Sequence, residues 1–209
     1  SDATRPRVVG AYGSRAHPYE PDSVRDALLL GRHALVAQSE DGFVVLDLAR
    51  PDQPVVVAEL TDVRPRAIAV AGAHAFLALE QPPGLLVLDV ADPAEPVEIA
   101  RLLLPRAPSD VWVAADRVYL AYGDAANGLA ADGPVVGAST VSVIDASRPD
   151  APRDLGLYEL DDGEGYQALA FADGFGLVAG STGSLRRVDL TEVPGTKVVG
   201  TADPGWYHT

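Results

Sequence analysis

The chain has 209 residues, 47% of them hydrophobic, which is enough apolar material for one large domain or two small ones and excludes a disordered chain. Its formal net charge is −14, a field that repels phosphate backbones and anionic lipid and so argues against nucleic-acid and membrane-surface partners. Cysteine is absent, which excludes disulfides, thiolate metal sites and cysteine nucleophiles, and no apolar run approaches the roughly 18 residues of a membrane span.

In chain order, Asp2 to Pro6 and then Arg7 to Tyr12 read as a turn followed by a strand. From Ala27 the chain reads ALLLGRHALVAQ, two short apolar strands around a tight turn, and from Phe43 it reads FVVLDLARPDQPVVVAEL, a strand ending in Asp, a proline-bounded turn and another strand. The same sequence of elements returns as AIAVAGAHAFLAL from Ala67 with LLVLDVADPAEPVEIARL from Leu85. It returns again as VWVAADRVYLAY from Val111 with VSVIDASRPDAPRDLGLY from Val141, and as ALAFADGFGLVAG from Ala168 with LRRVDLTEVPGTKVVGTA from Leu185. The strand-ending aspartates Asp47, Asp89, Asp145 and Asp189 recur every 42 to 44 residues or so, except for one interval of about 56. Four antiparallel strands per repeat of that length predict an all-β chain of β-propeller blades, with four complete repeats and partial blades at both ends. The expected blades are 23–63, 64–106, 107–160 with a long loop at 123–140, and 161–203. Residues 1–22 are expected to form a partial blade and connector, and 204–209 the start of another blade.

The turn after each third strand has a physical reason. Proline fixes φ and lacks an N–H, so Pro51 with Pro54, Pro93 with Pro96 and Pro149 with Pro152 end strand pairing and set a corner. The preceding aspartate is placed to accept backbone N–H groups of that corner, which makes it scaffold and not catalyst.

These segments resemble LVIVD repeats, whose name describes the third strand, here VVLDL, LVLDV, SVIDA and RRVDL. The match is close in the first three repeats and loose in the fourth, where Arg186 and Arg187 replace apolar residues. The resemblance implies a propeller found in secreted, periplasmic or cell-surface proteins, and no catalytic motif travels with it. Because Asp2 to Pro6 matches Asp145 to Pro149, the first strand falls in mid-blade, so the chain is expected to be part of a larger propeller completed by further blades or a second chain.

Positions alike in all blades are scaffold, and unlike positions on one face are candidate site. His33 and His74 correspond to Arg117 and Phe175 in later repeats, a set from which no metal site is built. The loops leading into each innermost strand differ from blade to blade and open on the channel mouth, where a ligand is expected. They carry Arg25 and Asp26, then Arg64 and Arg66, then Ser109 and Asp110, then Glu164, Tyr166 and Gln167, then Trp206, Tyr207 and His208. A divalent cation such as calcium has only weak candidates, Asp161, Asp162 and Glu164 or Asp124 and Asp132, without the spacing of a dedicated calcium loop. Ser181, Thr182 and Ser184 lack the partners of a hydrolase triad. The expectation is therefore an extracytoplasmic binding or assembly module with a protein partner and no membrane insertion. The alternative is a metal-assisted hydrolase or oxidoreductase whose site is completed by other blades.

Overall fold

The computed structural model describes residues 7–12, 24–122, 139–160, 166–172, 175–180, 185–189 and 197–202. Among them every regular element is a strand except one 3-10 turn at Ser39–Asp41. The strands form four four-stranded antiparallel meanders, each in simple chain order. The first holds β1 (Asp26–Leu30), β2 (His33–Ala37), β3 (Phe43–Asp47) and β4 (Val55–Leu60), and the second β5 (Pro65–Ala71), β6 (His74–Leu79), β7 (Gly84–Asp89) and β8 (Val97–Leu103). The third holds β9 (Asp110–Ala114), β10 (Arg117–Tyr122), β11 (Ser139–Asp145) and β12 (Arg153–Leu160), and the fourth β13 (Tyr166–Ala172), β14 (Phe175–Gly180), β15 (Leu185–Asp189) and β16 (Lys197–Ala202). No helix is long and apolar enough to cross a membrane among the described residues.

The repeated corner is built as its residues require. Asp47, Asp89 and Asp145 each accept a hydrogen bond from the N–H two residues on, of Ala49 at 2.7 Å, Ala91 at 2.9 Å and Ser147 at 3.0 Å. The turn then closes between Gln53 N–H and the Arg50 carbonyl, Glu95 and Asp92, and Ala151 and Arg148, with Pro51, Pro93 and Pro149 at the position where a fixed φ suits a type I turn. Beyond the corner, every third-to-fourth strand ladder shifts register at the same place, Val45/Leu46, Val87/Leu88, Val143/Ile144 and Arg187/Val188. A bulge at that point adds twist to each outer strand.

Both faces of the middle strands are buried, which is why they read as nearly continuous apolar runs. Leu77, Leu79, Leu86 and Leu88 of the second sheet pack against Leu35, Phe43 and Val45 of the first. Their neighbours Phe76, Leu85 and Val87 point the other way, against Val118, Leu120 and Ile144 of the third. The sheets thus stack face to face as blades, and the innermost strands β1, β5, β9 and β13 touch in succession around a common axis.

Residues 7–12, expected as an outer strand, carry no strand assignment, because no described strand pairs with them. Tyr12 nonetheless packs on Val36, Val44 and Leu46, the face of the first blade turned away from the second.

Candidate functional site at the channel mouth

The innermost strands converge on a cleft of about 330 Å³ whose walls include Asp26, Leu28, Ile68, Asp110, Trp112 and Val113. Asp26 and Asp110 hold one position in the repeat, each opposite the last alanine of the second strand, Ala37 and Ala121. In the second and fourth blades that position is Ala67 and Ala168, opposite Ala78 and Ala179. Those two blades carry a register shift immediately before it, at Pro65/Ala67 and Tyr166/Ala168, where Arg66 and Gln167 fall.

The two aspartates are anchored by the backbone. Asp26 Oδ1 accepts the Ala27 N–H at 2.8 Å, and its Oδ2 accepts the Ile68 N–H at 2.8 Å on the neighbouring innermost strand. An innermost strand leaves one edge of N–H groups toward the axis, and Asp26 satisfies one of them from the adjacent blade. Asp110 Oδ1 accepts the Val111 N–H at 2.8 Å in the same way. Asp26, which differs from its counterparts in other blades and reads as a ligand candidate, therefore also clamps the first blade to the second.

The loops before the innermost strands and those between second and third strands share one face, as expected. Arg64 lies 3.7 Å from Glu40 of the first blade and donates to Gln81 Oε1 at 3.0 Å, while its carbonyl accepts the Glu80 N–H at 2.8 Å. Ser39 and Glu80 meet at 3.5 Å beside them. Arg25 and Ser109 each donate a backbone N–H at 2.8 Å to the carbonyl of the last alanine in the second strand, Ala37 and Ala121. The structure thus brings Asp26 and Asp110 into one cleft and places Arg64 in a rim network outside it. Tyr166 and Gln167 start β13, and nothing is described of their side chains. Glu164, Trp206, Tyr207, His208, Asp161, Asp162, Asp124 and Asp132 lie outside the described residues.

Three features escaped sequence reasoning. Trp112 lines the cleft. Tyr122 is buried, its hydroxyl bonded to Ser142 at 3.0 Å and its ring 5.4 Å from the Arg106 guanidinium; burial pushes the phenol up from its ordinary range. Gln38 is 2% exposed and its Nε2 meets no acceptor among the described residues. The serine in the third strand of the third blade, where the first two blades carry Val44 and Leu86, was the available signal for the second of these. Among the described residues no group of three or more His, Cys, Asp or Glu is arranged to hold a metal ion. His33 and His74 lie at the far end of the second strands, opposite Asp47 and Asp89.

The LVIVD repeat model matches residues 65–103, the second blade from β5 to β8. No curated protein sequence matches the chain. Among solved structures it is similar to the periplasmic gluconolactonase of Pseudomonas aeruginosa, at 15% identity and a TM-score of 0.68, covering 93% of this chain and 58% of that one. It is similar also to the Cps50 (Swd1) β-propeller domain of Myceliophteria thermophila, at 12% identity and a TM-score of 0.63, covering 87% and 60%. A third match is the computationally designed Ika4 protein, at 11% identity and a TM-score of 0.56, covering 80% and 91%. The chain spans about three-fifths of the two natural propellers, and identities this low establish the fold alone. The chain is a β-propeller that carries an LVIVD repeat at residues 65–103.

Proposed function

We propose that the chain is an extracytoplasmic binding module whose axial cleft receives a cationic side chain of a protein partner. The observation that carries this reading is the pairing of two backbone-anchored carboxylates, Asp26 and Asp110, with the indole of Trp112 in one small cleft. Carboxylates beside an aromatic ring in a partly enclosed site attract an ammonium or guanidinium group. Anchoring also favours binding over catalysis. Protonating Asp26 would weaken its bond to Ile68, so a proton-shuttling role works against the clamp. The extracytoplasmic assignment is supported by the LVIVD resemblance and by the periplasmic location in the name of one matched propeller.

Panning a random peptide library on the immobilised chain tests the reading, with Trp112→Ala and Asp110→Asn as counter-selections. Enriched peptides should carry Lys or Arg and lose binding by about tenfold or more on Trp112→Ala, as anchor contacts do. Enrichment indifferent to both changes, or none, rejects it. A hydrolytic role is the alternative, motivated by the gluconolactonase name of a matched propeller. It predicts hydrolysis of gluconolactone above the uncatalysed rate, lost in Asp110→Asn and, for the metal-assisted form, on chelation; background rates alone remove it.

A further inference from the structure

Among the described residues, the fourth blade exposes side chains at positions that the first three blades bury. In the first three blades, the side chains directed at the following blade include Leu35, Phe76 and Tyr119 on the second strand and Phe43, Leu85 and Val141 on the third, all buried. The strand registers assign the same positions in the fourth blade to Leu177, opposite Arg187, and to Leu185, opposite Ala179. Leu177 is 43% exposed and Leu185 40%. Ala170, opposite Leu177 on the innermost strand, is exposed as well. Arg187 stands exposed where the first three blades bury Val45, Val87 and Val143.

We infer that this face of the fourth blade, centred on Leu177, Leu185 and Arg187, is the seat of a fifth four-stranded blade of the same polypeptide. The face continues the series of interfaces already packed between the first three blades, position for position. A second copy joined head to tail would have to present its first blade here. That blade's corresponding face, Val36, Val44 and Leu46, is already covered by its own Tyr12. The length of the matched natural propellers, of which this chain spans 58% and 60%, leaves room for further blades.

The absence of cysteine makes the test free of background labelling. Leu177→Cys and, as a buried reference, Leu35→Cys are labelled with a thiol reagent in the 209-residue chain and in a fusion in which Ala202 is followed directly by residues 61–106. That junction reproduces the connection from β4 to β5. The fusion also carries Arg187→Val, so its docking face reads Leu, Ala, Leu, Val where the first blade has Leu35, Ala37, Phe43 and Val45. In the 209-residue chain, Leu177→Cys should react about a hundredfold faster than Leu35→Cys, and the added blade should slow it by about tenfold or more. Equal protection of both sites in the 209-residue chain overturns the inference, as does labelling that the fusion leaves unchanged. Protection that grows with protein concentration assigns the face to a second copy and overturns it too.

Discussion

Ala115 turns the chain between β9 and β10 with φ at 53°, in the place where Gly31 and Gly72 turn the first two blades at 60° and 59°. The left-handed region crowds a Cβ against the backbone, and glycine escapes that crowding. Ala115→Gly is therefore expected to stabilise the third blade by about 0.5 kcal/mol, since relief of strain outweighs the entropy that glycine adds to the unfolded chain. Urea denaturation followed by circular dichroism would show the midpoint rise, and a fall would mean that the turn tolerates Ala without strain. At the end of the second strand, Gln38, Leu79 and Tyr122 share one position. Leu79 packs as hydrocarbon and Tyr122 bonds to Ser142, whereas the buried Gln38 leaves its Nε2 without an acceptor among the described residues. Gln38→Leu is expected to stabilise by about 1 kcal/mol, because it removes a buried donor that costs its desolvation. A lower melting temperature for that variant would show that the amide has a partner.

The strand-ending aspartates were legible because their purpose is local. An Asp two residues before an N–H that needs a partner, followed by proline, can be read from three copies of the same corner. The clamp from Asp26 to Ile68 was not legible, since it spans two blades and depends on which edge of β5 faces the axis. For the same reason Asp26 and Asp110 stood out as channel-mouth candidates without any hint that the backbone holds them. On the outer strand β8, Glu98 and Arg101 form a bidentate pair at 3.0 and 2.7 Å, and the hydrogen bonds from Arg101 hold the Glu98 carboxyl below its ordinary value of 4.5. A lowered folded value means that the pair stabilises the blade above the ordinary carboxylate value and loses that contribution as pH falls through the lowered one. Glu98→Gln should cost under about 1 kcal/mol at pH 7, given the partial exposure of both groups. The gap between parent and variant should then close on acidification below about pH 4. Thermal melts at pH 7 and pH 3 check this, and a gap that persists at pH 3 would assign the loss to packing.

At the scale of the whole ring, the repeat made four blades and their order readable, while the packing between them depended on alternation that only the three-dimensional stack resolves. The interval of about 56 residues between Asp89 and Asp145 bears on that stack, since it inserts a long loop between two strands of one blade. Those strands, β10 and β11, pair fully up to Tyr122 and Thr140, so the ladder does not depend on what joins them. The second blade makes the same connection between Leu79 and Gly84 with Glu80 to Pro83 alone. Replacing residues 123–138 by that four-residue turn shortens the loop about fourfold, and two halvings at about 0.6 kcal/mol each predict a gain of about 1 kcal/mol. In a chain of this size that corresponds to a rise of about 2–4 °C in melting temperature. The strand ends that this connection joins, at Tyr122 and Thr140, lie next to the Ala121 and Asp110 pair at the cleft, so the shortened chain also separates scaffold from site. If the loop contributes to partner capture, peptides selected on the parent should bind the shortened chain more weakly while its melting curve stays cooperative. A loss of cooperative melting would instead mean that residues 123–138 complete the packing of the third blade, and that the insertion belongs to the scaffold.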